Sequence, residues 1–527
     1  MALTFLLNSD VSPLKETIMK LVNIILVALV IGLTTGCKKD FEEINTNYNN
    51  PTIVTPDVLL SGVIKSMMDR QVNEAWSIGN IVVQHHAKIQ FVNEDRYGWN
   101  ERNDIWNTVY SNYRNIQNIF TLIANDETSP YYGVSLILKS WMFSQATDAY
   151  GDIPYSEAGK AKTDGVYQPA YDKQEDVYTG ILADLKKANE LLTKADGSNF
   201  KGDLLYGGGS TALLKWRKLA NSLQLRALLR ISAKKNVAAD MQAIIGDAVN
   251  NPVFENNNDN AVLKYLAAAP NQWPMYGSRV GSFDEFRVSK TFTDRLTQLS
   301  DPRIRIFGRP TQNSVSGGTP EIKGIPNGLS DVDALAYNGG VQGVSRVGYT
   351  FACLVCNDAG QAPPDPAAAQ ALLMTYAELQ FILAEARQKG LITTGNAETY
   401  YNNGITANFN YWQSVVPAAY NLSIAMPAGY LTQSNVVYSG TDADKLARIA
   451  LQKWIALYFN GLEAWFDWRR TGMPAITPGP SNLNNNKVPI RYIYPLSEQS
   501  LNTANRAAAV QRQGNTDDLN TKMWLLQ

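Results

Sequence analysis

A mostly α-helical fold is the prediction, and three observations carry it. Apolar residues recur at steps of three and four along residues 56–235 and again along 366–527, the period of a helix with one buried face. The runs are separated by short connections, which favours antiparallel helix pairs stacked as an α-solenoid. Between 236 and 365 the period breaks up among Asn, Gly and Pro, so an irregular, loop-rich region is expected to sit on a helical scaffold.

The elements follow in chain order. Val58, Leu59, Val63, Ile64 and Met67 mark a first helix, and Ile81, Val82 and His85 a second. Ile105 to Ile119 carries a long third, Val134 to Ala146 a fourth, Val177 to Leu192 a fifth and Trp216 to Ala227 a sixth. In DAYGDIPYSEA, residues 148–158, Gly151 is placed to end a helix with positive φ, and Pro154 holds Ile153 extended. Arg226 and Arg230 share a helix face and need acidic or carbonyl partners if buried. Ser289 to Leu299 reads as a short helix inside the irregular region. Met374 to Ala386 resumes the helical pattern, and a loop-rich connection runs from Pro417 to Thr441. Ala450 to Pro474 then places Trp454, Tyr458, Gly461, Trp465 and Trp468 on one helical face, with Gly461 clearing space for another backbone. Asp467 reaches Arg470 at i+3, and Thr471, Gly472 and Pro474 end the helix.

Composition narrows the function. Lys and Arg number 47 against 48 Asp and Glu, so no basic field exists to hold nucleic acid. Charged residues at 18% and aromatics at 10% describe a globular chain. No phosphate-cradling glycine motif and no G-x-S-x-G elbow occurs. His85 and His86, the only histidines, stand about 100° apart on a helix and cannot share a metal, so they read as surface or groove residues; neither metal nor cofactor is expected. Asp148 and Asp152 are a candidate carboxylate pair for glycoside hydrolysis, which needs about 5–9 Å between them, but hydrogen bonding at a turn and helix end is the better reading. Cys353 and Cys356 form a C-x-x-C without a redox fold around it, so they make a local disulfide or an unpaired duo.

At the N-terminus, Met19 is the expected start. Lys20, the apolar run Leu21 to Leu33 and small residues before Cys37 form a secretory signal over 1–36. Thr-Thr-Gly-Cys at 34–37 resembles a lipobox, with Thr34 where an apolar residue is usual, so Cys37 is expected to carry lipid. Residues 37–55, including NTNYNNP at 45–51, form a tether to one domain over 56–527.

Several motifs carry a family resemblance. G-x-E-A-W-x-D-x-R-R-T-G-x-P at 461–474, Y-G-D-I-P-Y at 150–155, KWRKLANSLQLRALLRIS at 215–232, TYAELQFILAEA at 375–386 and Tyr494-Pro495 with Glu498 and Asn502 together resemble the SusD/RagB nutrient-binding outer-membrane lipoproteins. The resemblance implies tetratricopeptide-like helix pairs, an outer-membrane location facing the cell exterior, and a TonB-dependent transporter as partner. It implies capture of an oligosaccharide or peptide without catalysis; a secreted glycan hydrolase and a cargo-free adhesin or scaffold are the alternatives. Aromatics among Gly, Pro and Asn are the candidate ligand platforms: Tyr97, Trp99, Trp273, Tyr276, Phe286 and Tyr349. The ligand site is expected where the 236–365 region meets the loop bearing Tyr97 and Trp99.

Overall fold

The computed structural model describes residues 54–527, together with Thr17 and residues 19–22. The signal run, Cys37 and the Asn-rich tether lie outside the described residues. Among those described, no helix is long and apolar enough to cross a membrane.

The helices of nine residues or more are α1 (Pro56–Glu74), α2 (Asp104–Leu122), α3 (Pro130–Tyr150), α4 (Gln174–Leu192), α5 (Ser210–Ile231), α6 (Lys290–Gln298), α7 (Tyr376–Gln388), α8 (Ala397–Val415), α9 (Asp442–Ala456), α10 (Glu463–Thr471) and α11 (Thr503–Arg512). Each of α1 to α5 packs on the next. Helix α5 then meets α7, which packs on α8 and α9, so the two helical stretches of the sequence form one body around the irregular region. Two short antiparallel sheets tie that region in. Strand β1 (His86–Lys88) pairs with β3 (Phe286–Val288), Ala87 opposite Arg287, and β2 (Ala261–Lys264) pairs with β4 (Gln370–Met374).

Buried charge, as well as apolar packing, fixes how the helices meet. Arg226 on α5 makes a bidentate bond to Glu378 on α7, at 2.6 and 2.7 Å. Arg230, one turn on, is paired with Glu463 on α10 and lies 3.7 Å from Asp148 on α3. Lys453 and Arg470 both hold Asp467, at 2.8 and 2.9 Å, and Arg470 also forks onto Glu385. These groups are almost wholly buried. Such pairs add little net stability over an apolar core, yet removing one partner strands a charge, so they specify register.

The stretch from Ala450 to Pro474 departs from the single helix expected of it. It is two helices, α9 and α10, separated at 457–462 by a turn in which Phe459 has φ 63° and Gly461 φ 54°. The break sends both Tyr458 and Phe459 into the core, where Phe351 lies 5.4 Å from one ring and 4.7 Å from the other. Gly461 does clear space: a side chain there would strike Gln71, and one at Gly79 would strike the Gly461 carbonyl. Trp454 and Trp465 are buried scaffold residues as expected.

The second expected helix is also different. Helix α1 runs on through a π-turn at Ala75–Gly79 and a single turn at Asn80–Val82, and the chain then enters β1. The histidines are therefore core residues, not surface or groove residues. Both are fully buried, His85 against Phe292 and Trp454, and His86 accepting or donating a 2.7 Å bond with the Tyr458 hydroxyl. Burial pulls the His86 ring down to about 3, and His85 is lowered by the same cause, so both are neutral.

Candidate functional site

Helix α6 forms where Ser289 caps it, its hydroxyl accepting from Thr291 N–H. The helix buries Phe292, Thr293 and Leu296 and turns its other face to solvent. That outer face borders two clefts. One, of about 860 Å³, is lined by Lys290, Asp294, Arg305, Ile322, Tyr337 and Leu422 among others. The second, of about 460 Å³, lies on the other side of Lys290 and Asp294 and includes Arg295, Asn327 and Thr477. A third, of about 780 Å³, shares Pro310, Pro320, Tyr349, Asn421 and Leu422 with the first. The three form one continuous recessed surface on the irregular region. Their volumes lie in the range of small-molecule sites, roughly 300–1,000 Å³ each.

The walls are firmly rooted. Arg303 is fully buried, forking onto Asp301 and donating to Asn408 at 2.8 Å and Gln452 at 2.9 Å; this fixes the Ile304–Phe307 turn that presents Arg305. Tyr349, at the junction of the first and third clefts, donates its hydroxyl to Asp358 at 2.7 Å, with the Arg309 guanidinium 4.5 Å from its ring centre. Burial would raise the Asp358 carboxyl, but Arg309, the Tyr349 hydroxyl and Arg346 outweigh it and hold it below the ordinary carboxylate range. Burial, and then Arg346, lower Arg309 to about 10, which leaves it charged. Cys353 and Cys356 are joined in a disulfide, and Arg309 donates to the Cys356 carbonyl, so this turn is pinned to the same cluster.

The lining charges follow a simple pattern. Lys290 pairs with Asp294, Lys323 with Glu321 at 2.6 Å, and Arg346 with Asp358 at 2.8 Å. Arg295 and Arg305 have no carboxylate partner among the described residues. Arg295 donates to Gln298 at 3.3 Å and Arg305 to the Ser423 carbonyl at 3.1 Å.

Of the six aromatics expected to form ligand platforms, only Tyr349 lines these clefts. Trp99 donates to the Glu94 carbonyl at 2.9 Å and is packed against Trp465 and Tyr492. Tyr97 is 1% exposed beside it, and Trp273 is 2% exposed against Tyr265 and Phe459. Phe286 lies under Trp76 at 4.5 Å. Tyr276 is half-buried, and its carbonyl accepts from Leu354 N–H. The expected junction of Tyr97 and Trp99 with the irregular region is thus packed core. Gly, Pro and Asn beside these rings mark tight turns, and those turns aim the rings inward. Conversely, Asn421 and Leu422 were not singled out from the sequence; only the loop character of 417–441 points toward them.

Asp148 and Asp152 are also committed to the scaffold. Asp148 accepts from the Tyr178 hydroxyl at 2.7 Å beside Arg230. Asp152 accepts from Gln174 N–H at 2.9 Å and Arg512 at 2.7 Å. Burial raises both carboxyls. The Y-G-D-I-P-Y turn is clamped from both sides, the Tyr494 hydroxyl donating to the Asp152 carbonyl and that of Tyr110 to the Pro154 carbonyl.

This helical body with an irregular insert can be placed among known proteins. The model of the SusD-like family, described as starch-binding and associating with the outer membrane, matches residues 48–495. The chain belongs to the SusD-like family. Its tetratricopeptide-like helical fold agrees with that of solved family members. A SusD homologue from Bacteroides fragilis is 27% identical, with a TM-score of 0.76, 90% of this chain and 100% of that one being covered. A chitin-binding protein is also 27% identical, with a TM-score of 0.74 over 89% of this chain and 99% of that one. A chitin-binding SusD homologue from Flavobacterium johnsoniae, 24% identical, shares the fold at a TM-score of 0.71 over 89% and 98% of the two chains. No curated protein matches the chain.

Proposed function

We propose that this protein is a surface lipoprotein of the outer membrane that captures an oligosaccharide in the clefts around α6 and passes it to a TonB-dependent transporter, breaking no bond. The observation that carries the reading is the continuous recessed surface of three linked clefts on a SusD-like body. Its walls combine ring and aliphatic surface from Tyr337, Ile322 and Leu422 with amide and hydroxyl groups from Asn338, Asn421 and Thr297. Apolar faces with interspersed hydrogen-bonding groups suit a sugar chain. A relative of nearly equal extent and 27% identity is a chitin-binding protein, which supports a glycan over a peptide. The structural commitments of Asp148 and Asp152 remove the candidate pair that favoured hydrolysis. Cys37 supplies the anchor, and the helical face left clear of the clefts is available to the transporter.

Calorimetric titration with maltooligosaccharides, chitin oligosaccharides and oligogalacturonates tests the reading, with product analysis of each mixture. Saturable binding without cleavage is expected, weakened by Tyr337→Ala. Turnover of any of these glycans, or binding unaffected when the cleft is altered, would refute it.

A further inference from the structure

We infer that the cargo is an anionic glycan, carrying carboxylate or sulfate groups, read by Arg295 and Arg305. This rests on the clefts being the glycan site. The chain as a whole has a net charge of -1, yet five lysines and arginines line its three linked clefts against three carboxylates. Each of the three carboxylates lining them is already paired with a lysine or arginine, Arg346 also holding Asp284 at 2.8 Å. The two arginines left over stand on opposite sides of α6, one in each cleft that the helix borders.

Arg305 is exposed and Arg295 half-buried, and each is held by one hydrogen bond. Arg305 leaves a turn rooted by buried Arg303, and its Nη1 is held by the Ser423 carbonyl at 3.1 Å. Arg295 rises from α6 itself and is held by Gln298. Each keeps unused N–H donors in a planar fork, the geometry that takes a carboxylate or sulfate in two parallel bonds. A neutral glycan needs no such group. Two forks about one helix suit acidic sugars at intervals along a chain. A single acidic monosaccharide would engage only one.

The test compares oligogalacturonate, a sulfated maltooligosaccharide and a neutral maltooligosaccharide of equal length, titrated at low and at physiological ionic strength. One anionic ligand should bind at least about tenfold tighter than the neutral one, with the advantage shrinking in salt. The better of the two anions identifies the group read. Arg305→Gln and Arg295→Gln should each weaken anionic binding by about three- to tenfold, and by more than they weaken neutral binding. Lys264→Gln removes the same charge from an exposed residue lining none of these clefts and should change nothing. Equal affinity for neutral and anionic chains, or a double arginine variant that keeps the anionic preference, overturns the inference while leaving glycan capture standing. Absence of binding to every glycan, with all variants folded by circular dichroism, overturns both.

Discussion

A close backbone approach in the scaffold makes two chemically identical substitutions act with opposite sign. Gly79 ends the π-turn after α1, and a methyl built on it falls well inside contact distance of the Gly461 carbonyl oxygen and 3.1 Å from the carbon. Ordinary carbon contacts lie at about 3.5–4.0 Å. Both partners are backbone, so neither can swing aside. Relief requires moving the 457–462 turn, and with it Tyr458 and Phe459, which are fully buried or nearly so. Overpacking of this kind costs about 1–3 kcal/mol and more where backbone must shift, so Gly79→Ala should destabilise by about 3 kcal/mol. Gly62 lies within α1, exposed, with nothing within 4 Å of a built methyl. Gly62→Ala should therefore stabilise by about 0.5–1 kcal/mol, the helix-propensity difference. Urea denaturation of both variants, with m-values compared to confirm an unchanged unfolding transition, measures the contrast. If Gly79→Ala is as stable as the parent, the two segments do not meet as described and the reasoning fails.

Other outcomes can be measured in the same way. Trp465→Ala should cost about 3–5 kcal/mol, since the ring is fully buried and donates to the Pro489 carbonyl at 2.8 Å; a variant within about 1 kcal/mol of the parent would move the ring out of the core. Burial raises Glu74 to about 7 from 4.5, and the Tyr492 hydroxyl donates to it at 3.0 Å. A raised carboxyl stabilises below its unfolded value and loses that contribution as pH climbs through 7, so the parent should lose up to about 3 kcal/mol more than Glu74→Gln between pH 5 and 8; parallel pH profiles would contradict it. His86 acts in the opposite sense, its contribution being present above about 6.5 and lost as pH falls toward 3, so His86→Phe should flatten the acid side of the stability curve. Cys37→Ala should shift the protein from the membrane fraction to the soluble one or leave its signal unprocessed, and unchanged membrane retention with processing would rule out the lipid anchor.

The helical scaffold was legible because it rests on local periodicity, and the needs of Arg226 and Arg230 were legible because burying charge leaves few options. The break between Ala450 and Pro474 was not. Its φ values at Phe459 and Gly461 answer to Gln71 and Gly79, nearly 400 positions earlier, which no local pattern records. The proposed ligand surface was legible only as a region. A glycine or proline beside a tryptophan marks a turn equally well whether the ring faces solvent or core, and Trp99 and Trp273 face core. Cleft walls made of Lys, Asp, Thr and Asn look like any solvated surface until the fold brings 290–324, 337–361 and 419–423 together.

The pairing of α5 has a consequence for how the chain is made. Arg226 meets Glu378 across 152 positions, and Arg230 meets Glu463 across 233. Until synthesis has delivered the C-terminal part, helix α5 cannot bury its arginine face without leaving Arg226 unpaired and Arg230 with Asp148 alone, a cost of several kcal/mol. A chain cut short before Glu463 therefore lacks a stable resting state for its middle third. Truncated products stay open to proteolysis for the same reason.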